Sequence, residues 1–136
     1  MKRLIYLILP VITLILEIIP YGAVCNFAYL QEDGTIGAKR ELFSYFDPLP
    51  LGYAHVTPFI TALLTSIIFL IVVIYCIYGH IGVAHTLEKW LFICAVVSVC
   101  PILMGIENYS FVGLLITLSI FGQWLLIRFT ITYKRA

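Results

Sequence analysis

Charged residues are the scarcest class in this chain. Of its 136 residues, eight are Lys or Arg and seven are Asp or Glu, whereas 62% are hydrophobic. A soluble domain averages about one quarter charged residues, and a chain this short has a high ratio of surface to volume. The composition therefore excludes an ordinary soluble domain and predicts an integral membrane protein.

A strong excess of one charge is also lacking, as are the common catalytic motifs. The formal net charge is only +1, which argues against a partner that is a nucleic acid. The sequence contains no phosphate-binding loop, no nucleophile beside a base and no zinc-protease motif. We therefore expect a non-enzymatic protein that needs no cofactor.

Cysteines are few, and none of them form a CxxC pair. Three of the four lie inside apolar runs, where cysteine is a small packing residue, and one lies at a predicted membrane edge. We therefore expect no metal or redox chemistry from Cys76, Cys94 and Cys100, and Cys25 is the exception because of its place at the membrane edge.

Four long apolar runs predict helices that cross a bilayer. A hydrocarbon core of about 30 Å requires about 20 residues of helix, and helices satisfy their own backbone groups in lipid. The predicted fold class is an all-α integral membrane bundle of four transmembrane helices in one domain, residues 1–136. The expected spans are 4–21, 58–78, 87–105 and 111–130, and one long outer loop covers residues 22–56.

Local signals place some of the helix ends. Thr57 is a suitable N-cap for the second span, Pro58 suits its first turn and Gly79 suits its end. Thr86 is the expected N-cap of the third span. The residues between Gly79 and Thr86 are therefore predicted to form a cytoplasmic loop.

The first apolar run has two interpretations. Basic residues followed by an apolar run are typical of a signal peptide, but this run is long, carries Glu17 and Pro20, and lacks a small-x-small cleavage site. Its Leu, Ile and Val residues also outweigh the cost of inserting one glutamate. We expect it to remain as a span.

The distribution of Lys and Arg predicts the orientation. With the N-terminus inside, only Lys39 and Arg40 lie in outer segments, and both predicted termini are cytoplasmic. Trp90 and Trp124 then fall near the inner interface, which indoles prefer. The cytoplasmic segments hold Lys2, Arg3, Lys89, Arg128, Lys134 and Arg135.

Glu17 is the most informative residue of the spans. Helical spacing places Thr13, Glu17 and Tyr21 on one polar face, together with Tyr6 and Pro10. A carboxylate that faces lipid is costly, so this face is predicted to point into the bundle. It is either a proton- or cation-linked site or a carboxyl that hydroxyl groups hold to orient the helices; we favour the second interpretation.

His55 and Glu107 are candidate polar groups of the outer face. The predicted topology brings them to the same membrane face as Glu17, where two carboxylates and an imidazole can bind a cation. Residues of these types at an interface are more often simply solvated, and we favour that interpretation. A solvated loop is also the interpretation for His80, His85 and Glu88, whose spacing matches no strong motif.

The outer loop combines a turn-rich part with an aromatic part. Residues 31–37 are typical of turns. Phe43, Tyr45, Phe46 and Tyr53 belong to a segment in which two prolines favour a fixed shape. This segment is a lid or docking surface over the bundle, an interfacial aromatic belt, or a short helix that lies on the membrane.

Two stretches carry a resemblance. Residues 15–24, Ile-Leu-Glu-Ile-Ile-Pro-Tyr-Gly-Ala-Val, and the stretch from Phe-Ser-Tyr-Phe-Asp at 43–47 to Gly-Tyr-Ala at 52–54 resemble a group of small uncharacterised membrane proteins of Gram-positive bacteria. The resemblance implies the bacterial plasma membrane and four spans, and it implies no activity.

The sequence favours a subunit or modulator of a larger membrane assembly. Small size, few polar groups in the spans and a shaped outer loop are the grounds for this prediction. The expected partners are the lipid bilayer and other membrane proteins. The alternative is a small transporter or channel that uses Glu17 as an intramembrane carboxylate.

Overall fold

In the part of the chain that the structure describes, the fold consists of four helices and one β-hairpin. The computed structural model describes residues 5–32, 34–47, 56–103 and 105–135. Its elements, in chain order, are α1 (Ile5–Ile18), β1 (Ala23–Leu30), β2 (Ile36–Phe43), α2 (Thr57–Tyr78), α3 (Ile81–Leu103), a 3-10 turn (Ile106–Asn108) and α4 (Phe111–Arg135).

The predicted helical membrane protein is matched in its main features. Three helices, α2, α3 and α4, are long and apolar enough to cross a membrane. The first helix is apolar but shorter, with 14 residues, which at about 1.5 Å per residue is less than the hydrocarbon thickness. The structure therefore contains the four predicted helices, of which three have the length of a span.

The all-α class and the single outer loop are corrected by a hairpin. Strands β1 and β2 pair antiparallel, from Ala23 opposite Phe43 to Leu30 opposite Ile36. At its end the N–H of Gln31 donates to the carbonyl of Thr35. The expected turns at 31–37 therefore form the closed end of a hairpin, because the flanking residues include the β-branched and aromatic types that favour strands.

The end of α2 follows the sequence signals. Gly79 has φ 66° and ψ 20°, and its N–H donates to the carbonyl of Tyr75, so it is a left-handed C-cap that glycine adopts without strain. Pro58 lies in the first turn as predicted. Thr57 does not cap the helix, because it is already its first residue and Val56 holds the cap position.

The predicted start of the third helix is wrong by six residues. Helix α3 begins at Ile81, because the carbonyl of His80 accepts the N–H groups of Val83 and Ala84. The hydroxyl of Thr86 bonds back to the carbonyl of Gly82 inside the helix. The expected cytoplasmic loop is therefore a two-residue connection.

The helices pack as a ring around an apolar centre. Helix α1 contacts α2 and α4, and α3 contacts the same two helices from the other side. Large buried residues at helical spacing fill the space between them. They include Ile68, Val72 and Tyr75 of α2, Leu87 and Leu91 of α3, and Ile116, Ile120 and Ile127 of α4. The hairpin lies at the end of this ring where α1 ends.

Candidate functional site

Glu17 is completely buried between α1 and α2. Its side chain is 0% exposed. The hydroxyl of Thr65 on α2 donates to Oε2 at 2.7 Å, whereas Oε1 has no hydrogen-bond partner among the described residues. One carboxyl oxygen is thus held by a neighbouring helix, and the other is unsatisfied.

Thr13 forms the second polar contact of α1, one helical turn away. Its hydroxyl lies 2.7 Å from the hydroxyl of Ser119 and accepts the amide N–H of Gln123 at 2.8 Å. Both partners lie on α4. We call the set Thr13, Glu17, Thr65, Ser119 and Gln123 the polar seam, because it joins α1 to its two neighbours through side-chain hydrogen bonds.

The predicted polar face of α1 extends from Glu17 toward the N-terminus of the helix but not beyond its C-terminal end. Pro10, Thr13 and Glu17 are the buried residues of the helix, and the hydroxyl of Tyr6 lies 2.9 Å from that of Thr130. Tyr21 does not share this face. Helix α1 ends at Ile18, and the Tyr21 side chain is 57% exposed beyond it.

The chemistry of the seam depends on how Glu17 is neutralised. An ionised carboxylate without a partner is very costly in an apolar interior. None of the ion pairs found among the described residues includes Glu17. A carboxyl in this position can bind a proton or a small cation, and it also fixes the rotation of α1 against α2 through Thr65.

Tyr45 fixes the base of the hairpin on the bundle. Its side chain is 2% exposed, and a Cβ added at Gly22 would lie 2.8 Å from its ring. The hydroxyl of Ser110 donates to the carbonyl of Gly22 and accepts the N–H of Gly113. Burial raises the pKa of the Tyr45 phenol above its ordinary value, so this residue is a neutral packing group.

The chain around Tyr45 is also bonded to the end of α1. The backbone N–H of Tyr45 and the hydroxyl of Ser44 both donate to the carbonyl of Glu17, at 2.9 and 3.0 Å. The N–H of Ser44 donates to the carboxylate of Asp47. The residue that carries the buried carboxyl therefore also anchors the segment that follows β2.

The hairpin itself is bonded to the connection between α3 and α4. The Asn26 amide donates to Asn108 at 2.8 Å, and the Arg40 guanidinium donates to the carbonyl of Tyr109 at 3.1 Å. Cys25 is 0% exposed at this contact. Burial, together with the charge of Glu41, raises the pKa of its thiol.

The candidate docking residues separate into different environments. Tyr45 is buried, Phe43 is half-buried with its ring 6.4 Å from that of Phe27, and Phe46 is 39% exposed. Tyr53 lies outside the described residues. Phe43 belongs to β2, so the first part of this segment is a strand and not a short helix on the membrane.

A second exposed apolar group was not predicted from the sequence. Tyr29, Leu30 and Ile36 are 47%, 75% and 77% exposed at the closed end of the hairpin. We call these three residues the hairpin tip. The signal that could have identified them is two apolar residues directly flanking a polar turn at 31–35.

The predicted outer-face cluster is not assembled in the described part of the chain. Glu107 is exposed in the 3-10 turn, whereas Glu17 is fully buried, and His55 lies outside the described residues. Within residues 5–32, 34–47, 56–103 and 105–135, no group of three metal-ligating side chains occurs.

Two of the three residues expected in a solvated loop near α3 lie on the helix instead. His85 and Glu88 lie on α3, where Glu88 pairs with Arg128 of α4 at 2.5 Å and with His85 at 3.7 Å. His80 remains exposed in the connection. Glu88, which was expected to be solvated, therefore joins two helices.

Comparisons with known proteins identify no relative. No protein-family model matches the chain, and neither a curated protein nor a solved structure matches it. Function is therefore inferred from the geometry described above.

Proposed function

We propose that this chain is a non-enzymatic subunit or modulator of a larger assembly in the bacterial plasma membrane, and that it binds a partner membrane protein through the hairpin tip. The observation that carries the proposal is a hairpin fixed at its base by buried contacts while its tip exposes Tyr29, Leu30 and Ile36.

The geometry of the hairpin suits a docking element. Each strand has eight residues, so the hairpin extends about 26 Å at about 3.3 Å per residue. An exposed apolar group surrounded by polar residues is typical of a protein interface. Glu32 supplies a negative charge beside the tip, and the ion pair between Lys39 and Glu41 lies farther along β2 toward the base.

The proposal takes α1 as the fourth span and both termini as cytoplasmic. A short apolar helix is accommodated by local thinning of the bilayer or by its neighbours, and α1 packs on both α2 and α4. The hairpin then lies outside, on the side with few Lys and Arg residues. In this arrangement the tip is presented to the outer part of another membrane protein.

Affinity purification from native membranes tests the proposal. We expect a double variant, Leu30→Asp with Ile36→Asp, to lose at least ten-fold of the co-purified partner while accumulating normally in the membrane. Thr35→Asp is the matched control, because it adds a charge at the same end of the hairpin without removing apolar surface. Equal recovery of the same proteins with the wild-type chain and the double variant would contradict a docking role of the tip.

A small transporter or channel is the second candidate, and the unpartnered Oε1 of Glu17 favours it. Glu17→Gln keeps the shape of the side chain and removes the ionisable proton. Under the leading proposal, we expect normal accumulation of this variant and no proton or cation flux from either protein in reconstituted vesicles.

Glu17→Leu is the control, because it also removes the hydrogen bond from Thr65 and should cost about 0.6–1.7 kcal/mol of stability. Flux through the wild-type protein that disappears in Glu17→Gln at unchanged protein level would reject the modulator and establish the transporter.

A further inference from the structure

An apolar groove runs along the membrane-facing side of α3 and α4. It has a volume of about 470 Å³ and extends on α3 from Phe92 to Leu103. This distance is about 16 Å at about 1.5 Å per residue, close to half of a hydrocarbon core of about 30 Å. The groove therefore has about the length of an extended acyl chain, and it reaches the last residue of α3.

A polar cleft of about 180 Å³ lies along the same pair of helices, one turn beyond the groove. His85 and Glu88 of α3 line it with Arg128 and Thr132 of α4. Charged side chains of a membrane protein lie at the level of the headgroups rather than in the hydrocarbon. The cleft therefore marks the interface, and the groove begins directly inside it.

Trp124 connects the two spaces. Its ring centroid lies 5.9 Å from that of Phe92 and 5.4 Å from that of Phe121, and both of these residues line the groove. The guanidinium of Arg128 lies 5.7 Å above the same indole ring. Phe121, Trp124 and Arg128 recur at helical spacing and so share one face of α4. The surface is thus continuous from apolar to cationic.

We propose that this groove and cleft together bind one anionic phospholipid, with an acyl chain between α3 and α4 and the phosphate at Arg128. Glu88 bonds to Nη1 of Arg128, but a guanidinium has five N–H donors. The Arg128 side chain is 60% exposed, so its other donors reach a phosphate while the ion pair is kept.

The charges at this end of the bundle favour an anionic lipid over a zwitterionic one. Among the described residues at this end of α3 and α4, Lys89 and Arg128 are two cations against one carboxylate, Glu88, and a phosphodiester binds Arg through charge-assisted hydrogen bonds. The indole of Trp124 suits the interfacial level at which the glycerol backbone would lie. An apolar helix of another protein would fill the groove but leave the remaining N–H donors of Arg128 in the cleft unused.

Native mass spectrometry of the full chain in detergent tests this site, with phosphatidylglycerol and phosphatidylcholine of identical acyl chains as probes. We expect phosphatidylglycerol to be retained at least ten-fold better, and Arg128→Gln to abolish that preference. Lys89→Gln removes the same charge at the same interface but outside the cleft, and it should change binding less than two-fold. Val96→Trp fills the groove and should lower the binding of both lipids.

Glu88→Gln separates lipid binding from a merely structural ion pair and keeps the test valid if Arg128→Gln fails to fold. It releases Arg128 from its partner, so phosphatidylglycerol binding should rise at least two-fold. A fall in phosphatidylglycerol binding by Glu88→Gln would overturn the proposal. So would equal binding of the two lipids to the wild type, equal losses in Lys89→Gln and Arg128→Gln, or full binding in Val96→Trp. Displacement of the lipid by millimolar inorganic phosphate would overturn it too, because the acyl chain would then contribute nothing.

Discussion

The two ends of one hairpin have opposite surroundings. Where the hairpin joins the bundle, Ala23 and Cys25 are 1% and 0% exposed, whereas Leu30 and Ile36 at the other end are 75% and 77% exposed. The strands between them are paired without interruption. The same secondary structure therefore serves the fold at its base and presents apolar surface at its tip.

This difference assigns separate roles to apolar residues of the same type. Removing apolar area from water contributes about 25 cal/mol per Å², so the buried base contributes to the stability of the isolated chain. The tip remains in water there and contributes almost nothing. Its large apolar side chains gain that free energy only when a partner covers them, and this is the physical basis for the docking proposal.

The strongest test of the buried base is Tyr45→Ala. Truncating a buried aromatic side chain costs about 3–5 kcal/mol, and Tyr45 is among the largest fully buried side chains. Denaturant unfolding in mild detergent should show a loss of this size. The adjacent Phe46→Ala is the control, and because Phe46 is 39% exposed it should cost less than about 1 kcal/mol. Equal losses would mean that the base is not specifically packed.

A smaller effect is expected from Gly22→Ala. The added methyl would lie 2.8 Å from the Tyr45 ring, and overpacking of this kind costs about 1–3 kcal/mol. Gly82→Ala is the matched control, since nothing lies within 4 Å of its added Cβ and alanine is the better helix former. The same unfolding assay should therefore rank Gly22→Ala below wild type and Gly82→Ala at or above it.

The sequence predicted features that depend on local chemistry. The left-handed cap at Gly79 and the buried face of Pro10, Thr13 and Glu17 follow from one residue type or one helical spacing. The hydrogen-bond partners of that face were not predictable, because Thr65 and Gln123 lie on other helices. Their positions depend on helix rotations that no local pattern encodes.

The errors have the same physical origin. The sequence around Glu88 predicts a solvated residue, whereas in the structure Glu88 pairs with Arg128, 40 residues later in the chain. The charged run Lys39-Arg40-Glu41 did not predict a strand, but it belongs to β2. Arg40 donates to the carbonyl of Tyr109, and Lys39 pairs with Glu41. Glu88 and Arg40 thus contact segments that are distant in the sequence. Such contacts leave no local pattern, and the sequence around each residue therefore predicted a solvated loop.

The smallest effect on stability, and the clearest contrast in reactivity, is expected at the turn that closes the hairpin. Thr35→Cys should change the free energy of unfolding by no more than about 0.5 kcal/mol, because Thr35 is exposed. Thiols react as thiolates, and Cys25 is both buried and raised in pKa. A membrane-impermeant maleimide added to spheroplasts that overproduce the chain should therefore label Thr35→Cys at least ten times faster than the wild type. Rapid labelling at Cys25 of the wild type in spheroplasts, located by mass spectrometry among the four free cysteines, would contradict the difference between base and tip. Labelling of Thr35→Cys only after the membrane is permeabilised would reverse the proposed orientation and place the hairpin in the cytoplasm.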